Sequence, residues 1–384
     1  MSQSRAIVPA PIIVHHTAAS SRYQVLYSFG RNDDGARPDA GLLDVNGTLY
    51  GTTWYGGKYG YGAVFSVSAA GEERVLYSFR SGDDGAQPNT SLIDVNGTLY
   101  GTTFYGGGYG AGGDGTVFSI STAGIEHVLH SFGSGSDGVE PTGLTDASGT
   151  IYGTTGIGGT YNWGTVFTIS AAGYYHVLYS FTGLSGGAPG GSLIDVKGTL
   201  YGTTAFGGKY GDEFGGDGTV FSISTAGMEH VLHNFGHGSD GLYPAASLID
   251  VKGTLYGTTA SGGEYGSSGG GGTVFSISTA GKERVLHNFG SGSDGEYPEA
   301  SLLDVNGTLY GTTWFGGKYE PRSGGGGTVF SISTASKEHV LHNFGNGSDG
   351  TEPRASLIHI KGTLYGTTYA GGTYRYGTVF ALHL

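Results

Sequence analysis

Residues 244–259 read PAASLIDVKGTLYGTT and residues 272–289 read GTVFSISTAGKERVLHNF. In both strings apolar residues alternate in short β-branched and aromatic runs, which is how half-buried strands are written. Lys252-Gly253 interrupts the first string and Ala280-Gly281 the second, and glycine supplies the positive φ that a tight hairpin turn demands. The two strings therefore read as two hairpins, four strands in all. The runs between turn residues are too short for helices, and no window carries a 3.6-residue apolar stripe. The chain is expected to be all-β.

Outward from this unit, the string LYGTT, once IYGTT, occurs seven times, with its tyrosine at Tyr50, Tyr100, Tyr152, Tyr201, Tyr256, Tyr310 and Tyr365, spaced by 49 to 55 residues. Seven of the ten prolines (Pro38, Pro88, Pro141, Pro189, Pro244, Pro298, Pro353) share one repeat position, and fourteen of the eighteen phenylalanines share two more. Four short antiparallel strands per repeat of about 40 to 50 residues is the pattern of a propeller blade. Seven repeats predict a seven-bladed β-propeller. The last repeat stops one strand short, while residues 23–29, YQVLYSF, match the fourth-strand pattern of residues 74–79 and 284–289. This N-terminal strand is expected to complete the blade of the C-terminal repeat, leaving no open sheet in the ring. The organisation read from the sequence is thus an apolar tail, 1–22, followed by a single propeller, 23–384.

Composition agrees and excludes other classes. The chain has 384 residues, 79 of them glycine, a net charge of −13 and no cysteine. Hydrophobic content of 37% with 12% aromatic is too apolar for disorder, so the glycine belongs to the architecture. Gly-X-Y periodicity is absent, as is any apolar run of about 18 residues that could span a bilayer. Acidic balance disfavours a phosphate backbone as partner, so no nucleic acid is expected. Without cysteine there are no disulfides, thiolate metal sites or cysteine nucleophiles.

LYGTT, GG-x-Y-G and GTVFSIS in tandem resemble the GloVer-type repeat family of bacterial, mostly exported proteins. The resemblance covers residues 23–384 and implies a β-propeller and an extracellular or cell-surface location. It brings no established reaction or catalytic residues. The departure is at the front, where family members commonly carry a secretion signal and this chain begins MSQSRAIVPAPIIVHH.

Function must be sought on the face that varies. The loops between LYGTT and GTVF contain 8, 11, 8, 13, 12, 13 and 8 residues, and aromatic residues gather there: Trp54, Tyr55, Phe104, Tyr105, Phe206, Trp314, Phe315 and Tyr369. Such rings either stack on a sugar or apolar partner, or pack between blades. The connections into each new blade repeat as SGSDGxxP, with Asp34, Asp84, Asp137, Asp240, Asp294 and Asp349; blade four has GLSGGAP instead. An aspartate before glycine caps a turn. A calcium site using Asp33, Asp34, Asp83 and Asp84 is the weaker alternative, because EF-hand spacing is missing and most loops offer one carboxylate. His130, His233, His287 and His342 share a position with Tyr27, Tyr77 and Tyr179, which marks a packing site. Asp44, Asp94, Asp195, Asp250 and Asp304 precede a hairpin turn and should cap its donors; His359 replaces the acid in blade seven.

No H-E-x-x-H or phosphate-loop signature occurs, and the Gly-rich strings lack the following helix that phosphate cradling needs, so no catalytic residue, metal or cofactor is assigned. A central-channel enzyme is the least supported reading, and perturbed carboxylates in a deep cleft would be the observation that favours it. In the tail, Ile7, Val8, Pro9, Pro11, Ile12, Ile13 and Val14 form an apolar extended segment suited to adding to a sheet edge in its own ring or in a second copy. The leading expectation is a non-catalytic extracellular propeller that self-assembles, as a homo-oligomer or filament, through this tail. A glycan-binding module using the aromatic loops is the alternative.

Overall fold

The computed structural model describes residues 22–108, 113–210, 217–265, 271–291, 293–319, 326–333 and 336–384. Its strands form seven small antiparallel sheets arranged as a seven-bladed β-propeller. Blade five shows the build: strands Ile249–Val251, Thr254–Thr259, Thr273–Ser278 and Glu283–Asn288 pair in sequence order. Blade seven contains Ile358–Ile360, Thr363–Thr368 and Thr378–His383, and its fourth strand is Tyr23–Ser28 from the other end of the chain. Tyr23 lies opposite Leu382 and Ser28 opposite Thr378, as the sequence pattern predicts. Arg22 fastens the seam, its Nε donating to the His383 carbonyl at 2.6 Å.

The motif residues have distinct structural jobs. In the first turn of each blade both central residues have positive φ, for example Lys252 at 55° and Gly253 at 87°, the geometry that matches the twist of paired strands. Asp250 Oδ1 accepts the Gly253 amide at 2.8 Å, and Asp44, Asp94, Asp195 and Asp304 do the same for their own turns. In blade seven His359 Nε2 takes over this acceptor role toward Gly362. The glycine of YGTT is required by a neighbour rather than by its own conformation: a Cβ on Gly257 would stand 2.6 Å from Cζ of Phe275. The last threonine of YGTT pairs hydroxyl to hydroxyl with the threonine of GTVF, as in Thr259 and Thr273 at 2.9 Å; blade one carries Ala63 there, whose amide donates to Thr53 instead.

The core lies between blades. Tyr201, Val220 and Phe235 of blade four pack on Leu248, Leu255, Phe275 and Ile277 of blade five, and an equivalent cluster joins each consecutive pair. Phe29, on the N-terminal side of the seam, packs with Val379 of blade seven and with Leu42, Leu49 and Phe65 of blade one, so the ring closes hydrophobically as well as by hydrogen bonds. Each fully buried phenylalanine contributes about 1.5–3 kcal/mol. The tail positions Ile7, Val8, Pro9, Pro11, Ile12, Ile13 and Val14 lie outside the described residues.

Candidate functional site

Around the propeller axis, every blade contributes the residue that follows its repeat proline: Asp39, Asn89, Thr142, Gly190, Ala245, Glu299 and Arg354. Together they line a cleft of about 120 Å³. The residue before the proline is left-handed in all seven repeats although none is glycine, with φ between 48° at Ala188 and 60° at Glu352. That conformation costs about 1–3 kcal/mol at a non-glycine residue. The residue on one side is always proline and on the other always alanine, threonine or glycine, yet the cleft position carries seven different residues. A scaffold that accepts both Gly190 and Ala245 at this place does not need Asp39, Glu299 or Arg354 there.

The charged members occupy adjoining blades. Arg354 donates from Nη2 to Glu352 at 2.8 Å and approaches Asp39 at 3.9 Å. Its guanidinium lies between two rings, 4.0 Å from the centroid of Trp314 and 3.9 Å from that of Tyr369. Removal from water pushes the Glu299 carboxyl up to about 7; Arg354 pulls it down and Asp39 raises it further. Asp39 is also raised, by burial first, with Arg354 opposing.

The aromatic loop residues continue this arrangement. Arg37 donates to the Tyr369 hydroxyl at 3.2 Å and lies over the rings of both Tyr369 and Tyr55. Tyr55 meets Trp54, Trp54 meets Phe104 with centroids 5.4 Å apart, and Phe104 meets Tyr105. At the other end Phe315 stacks on Trp314 at 4.4 Å. Seven of the eight aromatic residues singled out from the sequence thus form one band over blades six, seven, one and two. Phe206 is apart, 42% exposed and packed edge-on against Tyr243. In blades three, four and five the position equivalent to Trp54 is Gly156, Ala205 and Ala260, so the mouth has an aromatic half and a small-residue half. Trp54, Phe104, Trp314 and Tyr369 are half-buried, so packing and presentation coexist in them.

The calcium alternative meets a different geometry. Asp34 accepts from the Gly30 amide and the Tyr27 hydroxyl, Asp84 from the Arg80 amide and the Tyr77 hydroxyl, while Asp33 and Asp83 are exposed. No group of three or more potential metal ligands occurs among the described residues. The loop aspartates cap their turns and also bond the shared histidine or tyrosine position, as in His233 to Asp240 at 3.0 Å and His130 to Asp137 at 3.1 Å. That position is therefore a polar clasp, more than packing. Blade four lacks the aspartate; Tyr179 donates to Glu229 of the next fourth strand at 3.1 Å, and Trp163 covers Gly183 and Gly187 of the shortened loop.

Two features escaped the sequence reading. The cleft position is invisible until the repeats are aligned on their prolines, whereupon its variety stands out. The tyrosine of GG-x-Y is exposed in blade after blade, at Tyr59, Tyr161, Tyr210, Tyr265 and Tyr319, giving the loop face a second, outer set of rings.

Among known proteins, the Gloeobacter/Verrucomicrobia repeat matches residues 10–167 and 142–380. No curated protein matches the chain. Solved structures share the fold at low identity. The computationally designed Ika8 protein has a TM-score of 0.50 at 14% identity, covering 94% of this chain and all of its own. The extracellular domain of a presumptive hybrid two-component system, BT4673 from B. thetaiotaomicron, has a TM-score of 0.58 at 10% identity, and 93% of this chain corresponds to 39% of it. A presumptive 6-phosphogluconolactonase from Bacteroides uniformis ATCC 8492 has a TM-score of 0.51 at 13% identity over 85% of this chain and 89% of its own. No helix among the described residues is long and apolar enough to cross a membrane.

Proposed function

We propose, for a chain that belongs to the Gloeobacter/Verrucomicrobia repeat family, that it is a saccharide-binding propeller acting outside the cell, with its site at the axial mouth. The observation that carries this reading is the lopsided mouth: a continuous band of seven aromatic residues on blades six, seven, one and two faces Gly156, Ala205 and Ala260 on blades three, four and five. Flat rings beside an open half suit a ligand with an apolar face and a polar edge, which describes a pyranose. The tail through which the sequence reading expects self-assembly lies outside the described residues.

Two of the three tryptophans, Trp54 and Trp314, belong to the band, so binding reports itself in fluorescence. Titration with a panel of neutral oligosaccharides should quench or shift that emission, and Trp54→Ala or Trp314→Ala should weaken binding at least tenfold. A panel without a binder, or alanine variants that bind like the parent, would overturn the assignment. Asp39 and Glu299, two carboxyl groups held toward their protonated forms in one cleft, favour a second reading, acid–base action on the bound sugar. Release of new reducing ends from a bound oligosaccharide, abolished by Glu299→Gln, is its signature.

A further inference from the structure

We infer that the axial cleft takes a positively charged group, so that the ligand of the mouth is an amine-bearing sugar whose ammonium enters between Asp39 and Glu299. This inference rests on the saccharide-binding reading and narrows its substrate class.

The half-buried cleft holds more acid than base. Arg354 is drawn on by three carboxyl groups: Glu352 in direct contact, Asp39 at 3.9 Å, and Glu299 through space. Arg37, nearby at the mouth, is engaged with the Tyr369 hydroxyl and two tyrosine rings. One guanidinium does not neutralise three carboxylates, so Glu299, pushed up to about 7 by burial, keeps a proton that an arriving cation displaces. Glu299 in particular makes no hydrogen bond or ion pair among the described residues. Burying acids without matching positive charge is costly, and removing the partner of such a group leaves a large penalty. The fold does not impose that cost, because Gly190 and Ala245 fill the same repeat position. A cation arriving from outside supplies the missing charge.

The aromatic band points to the same chemistry independently. An aromatic face attracts a cation through its quadrupole. The protein already displays the preference on itself, since the Arg354 guanidinium lies between Trp314 and Tyr369. Trp54 and Phe104 occupy the equivalent repeat position on blades one and two and touch directly, tilted by 49°, and among the described residues no cation lies over either ring. Size fixes the division of labour. At about 120 Å³ the cleft is well below the roughly 300–1,000 Å³ of sites that engulf a ligand, so it suits an ammonium and its carbon better than a whole sugar ring. The ring must then lie outside, on the aromatic half of the mouth.

The test is calorimetric titration of the full chain at pH 6.0 with two probes, a tetramer of β-1,4-linked glucosamine and its fully N-acetylated counterpart. The amine form should bind at least tenfold more tightly. Glu299→Gln and Asp39→Asn should each bring its affinity down to that of the acetylated form and leave the acetylated form unaffected. Asp33→Asn, an exposed acid remote from the cleft, should change neither. Should Asp39→Asn fail to fold for want of a partner to Arg354, Glu299→Gln decides alone. Equal affinity for the two tetramers sinks the cationic inference and leaves the saccharide reading standing; so does an amine preference that survives Glu299→Gln, which would trace to the overall negative charge. Binding of neither tetramer removes both.

Discussion

Phe275 and Gly257 show what a single repeat position is required to do. The phenylalanine ring is fully buried with its edge on the glycine α-carbon, and the pair recurs as Phe65 with Gly51 and Phe330 with Gly311. Gly257→Ala places a Cβ where Cζ already is, and overpacking of this kind costs about 1–3 kcal/mol. Phe275→Ala leaves a cavity between blades four and five and should cost about 3–5 kcal/mol. Chemical denaturation of both variants checks the ordering; a Gly257→Ala protein as stable as the parent would mean that the ring moves aside freely. Residues of this type were legible in the sequence because they repeat. Asp39, Glu299 and Arg354 were not, because a residue that departs from its repeat position reads as noise until the axis is known. The aromatic residues fell between: their type gave them away, but their order around the mouth depends on Arg37 and Arg354, which only the coordinates place between the rings.

At the level of the element, the closing strand and the clasps between fourth strands decide how the ring holds together. A chain starting at Arg22 keeps the strand Tyr23–Ser28, whereas one starting at Gly30 leaves Thr378–His383 with an unpaired edge and takes Phe29 out of its cluster. The second truncation should lower the melting temperature and promote association through the exposed edge; equal melting temperatures and a monomer for both would contradict closure by this strand. The closing strand could be read from sequence because YQVLYSF repeats a fourth-strand pattern. The glutamates that face each clasp could not, because they reach it from the next blade. Glu73 faces Tyr27 and Asp34, Glu126 faces Tyr77 and Asp84, and Glu283 faces His233 and Asp240; burial, the largest cause, pushes all three carboxyls up to about 7. One oxygen of each is buried without a hydrogen-bond partner. An acid whose folded pKa exceeds its unfolded value holds its proton more tightly in the native state, so its contribution to stability is complete below the unfolded value near 4.5 and fades as pH rises through 7. Relative to the parent, the triple variant Glu73→Gln, Glu126→Gln, Glu283→Gln should therefore gain stability as pH goes from 5 to 8. Melting curves of the two proteins across that range give the difference directly, and parallel curves would show that the three groups titrate alike in both states.

Taken whole, the molecule is a sevenfold scaffold carrying a site that breaks its own symmetry. The inter-blade clusters, paired threonines and capped turns recur around the ring and maintain it, while the axial position differs in every blade. If that division holds, the charged axial residues are dispensable to the ring and essential to its ligand. Alanine is the natural replacement, because Ala245 already fills the position without disturbing its blade. The variant Asp39→Ala, Glu299→Ala removes two of the carboxyls that draw on Arg354 and keeps its pair with Glu352, so it lifts a desolvation cost without orphaning a charge. It should unfold at the same or higher denaturant concentration than the parent and lose the amine-bearing sugar altogether. Loss of about 2 kcal/mol or more would place the two acids among the supports of the ring, since single substitutions at true supports cost that much. Stability gained together with binding lost is the outcome that separates a site from a scaffold, and in this ring the two occupy different repeat positions.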